Sequence, residues 1–278
     1  LGLRLVKVTV NYDDPGTYHL YYGDAVGSPG TILTFFPWPD SHRGRVGVGQ
    51  AAVTTFAVPE GALEFWRRRL EDAGVPSSMD ERLGERALRF ADPDEMLLEI
   101  VERPGATGDD PHAIRGFAGA SLWLEGYERT ARLLTDVMGL QPTGEEQNRF
   151  RFAMPGGQVV DLLCLPGRTR GRMGLGAVHH VAWRASDDQA QMAWRQAVAD
   201  FGLDVTPVRE RTYFRSIYFR EPGGVLYEIA TDGPGFTVDE PLDTLGGKLA
   251  LPSWLEPHRE RIRATLPSFT TPEGGRLP

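Results

Sequence analysis

The chain has 278 residues, of which 41% are hydrophobic and 24% are charged, and its formal net charge is −8. This composition is typical of a globular protein with one large domain or two of ordinary size. The acidic balance argues against a nucleic-acid partner, and no run approaches the roughly 20 apolar residues that a membrane span needs. The single cysteine, Cys164, lies in an apolar run and is expected to be a buried strand residue, which agrees with a reducing cytoplasm.

The chain opens on what resembles the second half of a repeated module. Leu1-Gly2-Leu3 is similar to Met138-Gly139-Leu140, where the helix of a later module ends, and β-rich runs follow in both places. In the complete copies the opening strand and helix take about 20 residues, so we expect that part of module 1 to precede residue 1. A natural protein of three and a half modules would instead leave an open sheet edge.

Modules 2 and 4, at residues 49–103 and 174–231, are the clearest copies. Helical spacing of apolar residues predicts helices around Ala62–Ala73 and Asp188–Phe201. Each helix has a tryptophan at the same interval before a glycine, and such a glycine favours a left-handed helix end. In both modules the last strand contains a glutamate.

Module 3 runs from about Gly116 to Pro166 and follows the same plan. It has a predicted strand at Ala118–Leu124, a helix at Tyr127–Met138 and a closing strand from Val159. Its closing strand carries an aspartate where the other two modules carry a glutamate.

Past Gly235 the chain is irregular apart from one predicted short helix, Glu256–Ala264. The repeats predict an α+β fold of four βαβββ modules arranged as two domains, with module 1 truncated at its N-terminus. The predicted domains are residues 1–105, with modules 1 and 2, and residues 111–235, with modules 3 and 4. Residues 236–278 are predicted to form a C-terminal arm packed on them.

Metal-ligand candidates are few, because the chain has six histidines: His19, His42, His112, His179, His180 and His258. The adjacent pair falls in VHHVAWR, the predicted first strand of module 4, and Glu228 falls in the last strand of that module. Side chains alternate along a strand, so one histidine can face the concave side while the other orients a neighbour or contacts substrate. Two histidines and one carboxylate beside open metal positions are common in non-heme Fe(II) oxygenases.

Comparison of the modules favours module 4 as the site. Glu99 and Asp161 stand at the Glu228 position in modules 2 and 3, but Ala51-Ala52 and Ala118-Gly119 stand where module 4 has its histidine pair. Only module 4 therefore has both kinds of ligand, and the carboxylates of modules 2 and 3 are expected to be structural.

Module 1 has Thr34 at the carboxylate position. We expect His19 to be a sheet residue rather than a pocket residue, and His258 to be a surface residue. The alternative for module 4 is that Glu228 is a hydrogen-bonded strand residue and that the two histidines beside it are structural.

These residues resemble the vicinal-oxygen-chelate superfamily, which includes glyoxalases, bleomycin-resistance proteins and extradiol dioxygenases. Within it they are most similar to the ring-cleaving dioxygenases of the hydroquinone dioxygenase branch. The resemblance covers nearly the whole chain and implies glyoxalase-like domains. It is carried by the runs GLRLVKVTVNYDDPGTYHLYYGDAVGSPGTILTFFPWP, VHHVAWR, RTYFRSIYFREPGGVLYEIATDGPGF and LPSWLEPHR.

The resemblance implies one Fe(II), or Mn(II), held by two histidines and one glutamate. His180 and Glu228 would be two ligands, and the third, a histidine from the first strand of module 1, is expected before residue 1. In catechol extradiol enzymes that histidine comes from the module before the last. Ala118-Gly119 stand at that place in this chain, which argues against that arrangement.

The resemblance also implies catalytic roles for three residues around the metal. His179 would donate or accept a proton, Arg211 would stabilise an oxyanion, and Tyr218 would hydrogen-bond to a substrate hydroxyl. The alternatives are a surface ion pair of Arg211 with the adjacent Glu210, and ordinary strand packing of Tyr218.

The function expected from the resemblance is Fe(II)-dependent cleavage of a hydroquinone-like para-diol ring by O₂, in the cytoplasm, without a nucleic-acid or membrane partner. Sheets of this type often pair, which allows a homodimer. One alternative is a metal-dependent lyase or isomerase of the glyoxalase type, which usually takes a fourth protein ligand that Thr34 does not offer. Another is a non-catalytic protein that binds an aromatic compound or antibiotic, which would need no metal.

Overall fold

The structure is a computed structural model that describes residues 1–105, 110–271 and 274–277. Two short strands near the C-terminus pair with each other. None of the helices in the described residues is long and apolar enough to cross a membrane. In chain order the elements are β1 (Arg4–Asn11), β2 (Asp14–Gly23), β3 (Leu33–Phe35), β4 (Gln50–Val58), α1 (Leu63–Asp72), β5 (Ser77–Arg82), β6 (Glu85–Ala91), β7 (Leu97–Glu102), β8 (Gly116–Leu124), α2 (Glu128–Arg132), β9 (Gln141–Glu146), β10 (Arg149–Ala153), β11 (Val159–Cys164), β12 (Val181–Ala185), α3 (Asp188–Asp200), β13 (Arg209–Glu210), β14 (Arg215–Arg220), β15 (Leu226–Thr231), α4 (Arg259–Thr265), β16 (Phe269–Thr270) and β17 (Arg276–Leu277).

Modules 2 and 3 share one eight-stranded sheet, in the order β5-β6-β7-β4-β8-β11-β10-β9. The first strand of each module lies parallel to its last strand, and the two first strands, β4 and β8, pair antiparallel at the centre. This sheet runs across the predicted domain boundary between residues 105 and 111. Most of that boundary, residues 106–109, lies outside the described residues, so the division into domains stays a prediction.

Modules 1 and 4 form smaller sheets. Module 1 contributes the three-stranded sheet β1-β2-β3, and module 4 contributes the four-stranded sheet β12-β15-β14-β13. Module 4 repeats the plan of modules 2 and 3, with its first strand parallel to its last. The described strands and helices therefore confirm the predicted α+β class with repeated modules.

The module helices form where the apolar spacing predicts them. Helix α1 buries Leu63, Trp66 and Leu70 against its own sheet, and α3 begins at the N-cap Asp187, whose side chain accepts a hydrogen bond from the backbone of Ala190. The glycines that follow these helices adopt left-handed φ values, as predicted. The helix of module 3 differs at its end, because α2 passes into a π turn over residues 133–137 before its glycine.

Three details differ from the sequence-based predictions. The His179-His180 pair lies just before β12, which begins at Val181, rather than within the strand. The ladder register shows that the module 2 counterparts of the pair are Ala52-Val53, one residue later than the sequence comparison gave. Cys164 lies in β11 as predicted, but it is half-buried rather than buried.

The sheet of module 1 is covered on both faces. On one face Tyr18 and Leu20 pack against Leu249 and Ile262 of the C-terminal arm, residues 236–278. The other face turns towards module 4, where Tyr21 packs with Tyr213 and Phe236. Alternation along β2 thus sends even-numbered residues to the arm and odd-numbered residues to module 4.

The face of the eight-stranded sheet opposite α1 and α2 carries a buried ion network of Arg82, Arg149, Arg151, Glu99 and Asp161. Glu99 is paired with Arg82, and the two oxygens of Asp161 each lie 2.7 Å from a guanidinium nitrogen, Oδ1 from Arg151 and Oδ2 from Arg149. Burial acts to raise the pKa of Asp161, but the guanidinium groups outweigh it and hold that pKa below its usual value. These carboxylates are therefore occupied by cationic side chains, as expected of structural residues.

Removal of the Asp161 carboxylate should destabilise the fold strongly. Asp161→Ala leaves the largely buried Arg149 without its carboxylate and leaves Arg151 with Glu85 as its remaining partner, and we expect a loss of about 3 kcal/mol in the free energy of unfolding. Asp232→Ala, which breaks an exposed pair with Arg184, is the matched control and should change stability by no more than about 1 kcal/mol. Urea unfolding of the two variants measures both values, and equal losses would contradict a special role for the network.

Candidate metal centre

Glu228 is the buried carboxylate of module 4, with a relative exposure of 4%, and it lies on the face of β15 opposite α3. The antiparallel register places Tyr218 directly across from it on β14. Its Oε1 accepts hydrogen bonds from the Tyr218 hydroxyl, at 2.8 Å, and from the Ser216 hydroxyl. Cross-strand neighbours of this kind lie close enough for side chains to touch, so the register fixes both partners.

His180 meets the other oxygen of this carboxylate. Its Nε2 lies 2.8 Å from Glu228 Oε2, and its Nδ1 lies 2.9 Å from Nδ1 of His179. The two adjacent histidines therefore make different contacts. His180 points at the carboxylate, and His179 is placed to orient the His180 ring.

The electrostatics keep Glu228 ionised. Burial acts to raise its pKa, but His180 and the hydrogen bonds from His180, Ser216 and Tyr218 outweigh that effect and lower the pKa to about 2. Burial and the nearby Glu228 charge raise the pKa of Tyr218, so its phenol stays protonated and donates to the carboxylate. The site therefore presents one anionic oxygen pair with a neutral phenol beside it.

Arg211 extends this chain of contacts. Its Nε donates to the Tyr218 hydroxyl at 3.2 Å, and an Nη donates to Asp13 of module 1 at 3.3 Å. The next residue, Thr212, has a φ of +68°, which is rare for a β-branched residue. Strained backbone of this kind clusters at functional sites. The predicted catalytic residues His179, Arg211 and Tyr218 thus all lie in the same chain of contacts as the two predicted ligands.

Module 1 provides the facing wall, which is largely aromatic. The Phe36 ring centroid lies 4.2 Å from that of His19 and 6.1 Å from that of His179. The ring of Trp38 stacks on Phe36 with 5.2 Å between the centroids. Tyr21 packs edge-on to Phe214 of module 4. The sequence comparison missed this wall, although the aromatic run around Phe36 was visible.

His19 was expected to be a sheet residue rather than a pocket residue. It does lie on β2, but its ring packs against Phe36 on the side of the sheet that faces module 4. Burial lowers its pKa to about 3, and the nearby His180 acts in the same direction. The useful signal was the alternation in TYHLYYGD, which puts His19 on the same face as Tyr21.

Lys7 is a second residue that the sequence analysis missed. Its side chain is fully buried, and its Nζ pairs with Asp239, at 2.6 Å, and with Glu240 of the C-terminal arm. Tyr213, which lies under this ammonium group, donates to the same Asp239 at 2.9 Å. Lys7 therefore ties module 1 and the arm to the loop that carries Arg211.

The donor atoms fit two positions of a metal site. His180 Nε2 and Glu228 Oε2 converge, and a ligating histidine commonly donates its other N–H to a neighbour such as His179. Across the described ranges, no group of three or more His, Cys, Asp and Glu side chains is arranged to hold a metal. Only two of the three expected ligands are therefore assigned to residues of this chain.

A cavity of about 420 Å³ lies away from these residues, between the end of α1 and β5. Its charged lining residues, Arg67 and Glu71, are paired with each other at 3.0 Å. None of the side chains that converge on Glu228 lines this cavity, so we place the candidate site at Glu228 and not in the cavity.

Comparison with known proteins identifies the family. The family model described as "Glyoxalase/Bleomycin resistance protein/Dioxygenase superfamily" matches residues 117–229. A Bacillus subtilis (strain 168) protein named "Putative ring-cleaving dioxygenase MhqO" is 50% identical over 284 residues, which cover 98% of this chain and 90% of that protein. The chain belongs to this superfamily.

Within the superfamily the chain is similar along nearly its whole length to proteins named as ring-cleaving dioxygenases, which confirms the resemblance. The "Chlorohydroquinone/hydroquinone 1,2-dioxygenase" of Sphingobium indicum is 33% identical, with 96% of this chain and 88% of that protein covered. A crystal structure of a "putative dioxygenase" from Bacillus subtilis superposes with a TM-score of 0.93 at 51% identity, over 97% of this chain and 90% of that one. Maize glyoxalase I, at 14% identity and a TM-score of 0.60 over 83% of this chain and 84% of that one, shares the fold.

The low pKa of His19 predicts a pH dependence of stability. Between a pKa of about 3 in the folded state and the ordinary value of 6.5, the unfolded chain binds a proton at His19 that the folded protein does not. His19 therefore makes the fold less stable as the pH falls below 6.5, by up to about 1.4 kcal/mol per pH unit. Urea unfolding between that value and about pH 5 should give a steeper pH dependence for the wild type than for His19→Gln. Equal slopes would contradict the prediction.

Proposed function

We propose that the protein is an Fe(II)-dependent dioxygenase that cleaves the ring of a hydroquinone-like para-diol with O₂. The observation that carries the proposal is the chain of contacts from Arg211 through Tyr218 and Glu228 to His180 and His179, opposite an aromatic wall. The relatives named as ring-cleaving and hydroquinone dioxygenases support the same reaction.

His180 and Glu228 are the proposed ligands of this chain, and the third is proposed to be the histidine expected before residue 1. This donor set suits Fe(II), and Mn(II) accepts the same donors. When bound, the metal would act as a Lewis acid and as a template that brings the diol and O₂ together. All other steps fall to side chains of the chain itself.

The proposed role of His179 follows from its contact with His180. If Nε2 of His180 holds the metal, its Nδ1 carries the hydrogen and donates to Nδ1 of His179. His179 then keeps its own hydrogen at Nε2, where it can donate a hydrogen bond to a substrate oxygen. Burial and the neighbouring His180 lower the pKa of His179, which favours this neutral form.

Tyr218 and Arg211 would act on the substrate oxygen near the metal. The Tyr218 hydroxyl donates to Glu228 and can accept a hydrogen bond from a substrate hydroxyl. The guanidinium of Arg211 uses one N–H on Tyr218 and one on Asp13, which leaves further donors for negative charge on the ring oxygen. The aromatic wall with Phe36 would hold the ring and exclude water.

Metal content and O₂ uptake test the proposal directly. The full-length protein, loaded anaerobically, should bind about one Fe(II) per chain and consume O₂ with hydroquinone. His180→Ala and Glu228→Ala should lose both properties. His258→Ala, which changes an exposed histidine of the arm, is the control and should keep both.

Two other results would contradict the proposal. Bound metal without O₂ uptake from hydroquinone or catechol would favour a lyase or isomerase of the glyoxalase type. A full-length protein that binds no metal would leave a non-catalytic aromatic-binding protein as the best explanation.

Variants of Tyr218 and Arg211 should separate chemistry from metal binding. Tyr218→Phe and Arg211→Lys remove one hydrogen bond near the substrate oxygen but neither proposed ligand, so kcat should fall about 100-fold while the iron content stays unchanged. Tyr127→Phe, at a tyrosine stacked on Phe150 in module 3, is the control. Loss of iron together with turnover would show that these residues only support the ligands.

A further inference from the structure

His19 has one satisfied ring nitrogen and one that has no partner. Its Nδ1 lies 2.9 Å from the Tyr21 hydroxyl, while its Nε2 is enclosed and has no hydrogen-bond partner among the described residues. Buried polar atoms nearly always find a partner, so this nitrogen, one of several unpartnered buried atoms among the described residues, is a candidate hydrogen-bonding group of the site.

The placement of His19 relates it to the metal centre. The alternation along β2 puts His19 on the face towards module 4, the same face as Tyr21. Phe36, which belongs to the module 1 wall, has its ring near both His19 and His179. His180 and Glu228 are also among the groups that act on the pKa of His19.

The ring of His19 is also held in place. It packs against Tyr21 with 4.0 Å between ring centroids and against Phe36 with 4.2 Å, and its Nδ1 is engaged. Because burial keeps the imidazole neutral, Nε2 offers a single hydrogen bond, as an N–H donor or as a lone pair. A ring hydroxyl can match either form, since it both donates and accepts.

We propose that His19 is a specificity-determining residue whose Nε2 hydrogen-bonds to the diol hydroxyl that the metal does not hold. This inference rests on the proposed function. A para-diol carries its hydroxyls at opposite ends of the ring, so its recognition needs partners on two facing walls. Module 4 supplies Tyr218 and Arg211 at one end, and module 1 supplies His19 at the other.

A site built in this way should prefer a diol to a simple phenol, because phenol leaves Nε2 unpaired. Calorimetry on the full-length, iron-loaded protein without O₂ should give hydroquinone a dissociation constant at least about ten-fold lower than that of phenol. His19→Asn keeps an amide near the Nδ1 position for Tyr21 but has no group at Nε2, so this preference should disappear. His19→Gln places an amide near the Nε2 position and should keep most of it.

Two controls separate recognition from structure. His112→Phe changes a histidine that stacks on Phe65 away from the site, and it should leave the preference unchanged. Iron content should be the same in the wild type and in both His19 variants. If the His19 variants lose iron, His19 supports the metal centre instead of recognising the substrate, and the inference is overturned.

The remaining outcomes are distinct. If the wild type consumes O₂ with hydroquinone and His19→Asn keeps the full preference, the inference fails, the proposed function stands, and a trapped water at Nε2 explains the unpartnered atom. If the wild type neither binds nor oxidises hydroquinone, both fail.

A measurement on the unaltered chain covers the case in which the variants do not fold. In the wild-type protein with Zn(II) in place of iron, the nitrogen-15 resonance of His19 Nε2 should shift on addition of hydroquinone and stay in place on addition of phenol. Equal shifts with both compounds, or none with either, would overturn the inference.

Discussion

The site depends on how the charge of Glu228 is accommodated in a buried position. An ionised carboxylate without partners would be far too costly to bury. Here β14 supplies two hydroxyls, from Ser216 and Tyr218, and the residue before β12 supplies an imidazole. The two hydroxyl contacts follow from the register of β14 on β15, and the imidazole contact follows from the parallel register of β12 on β15. A slip of β15 by one residue would turn Glu228 towards the helix-covered face. The registers of the two strands that flank β15 therefore fix the geometry around Glu228.

The same strand position has a different outcome in modules 2 and 3. Glu99 and Asp161 are as buried as Glu228, but guanidinium groups neutralise them. A guanidinium is permanently charged and has no lone pair for a metal, whereas a neutral imidazole has one. One repeated scaffold therefore holds a closed ion network in one sheet and an open pair of donors in another. The residues next to the carboxylate therefore determine whether it is neutralised by arginine or left free to bind a metal.

Local patterns explain why part of this could be predicted from the sequence. The spacing of Leu63, Trp66 and Leu70 and the glycines after the helices define the modules, and the histidine pair with Glu228 singles out module 4. The antiparallel pairing of β4 with β8 depends on long-range contacts that no local pattern encodes. The surroundings of His19 could not be predicted for the same reason. Alternation gives the face of β2 on which it lies, but not which module packs against that face.

The two walls of the site differ in chemical character, and the C-terminal arm helps to hold the module 1 wall in place. Module 4 carries the proposed ligands and Arg211, while module 1 carries aromatic rings and a neutral histidine, with Asp13 as a partner of Arg211. Lys7 of module 1 is fully buried, and its counter-charges, Asp239 and Glu240, come from the arm. Separating the arm from module 1 would leave an uncompensated buried charge, which is strongly unfavourable. The ion pairs of Lys7 with Asp239 and Glu240 join residues that are more than 200 positions apart in the chain. Together with the apolar contacts of the arm on the other face of the module 1 sheet, they hold the aromatic wall opposite Glu228.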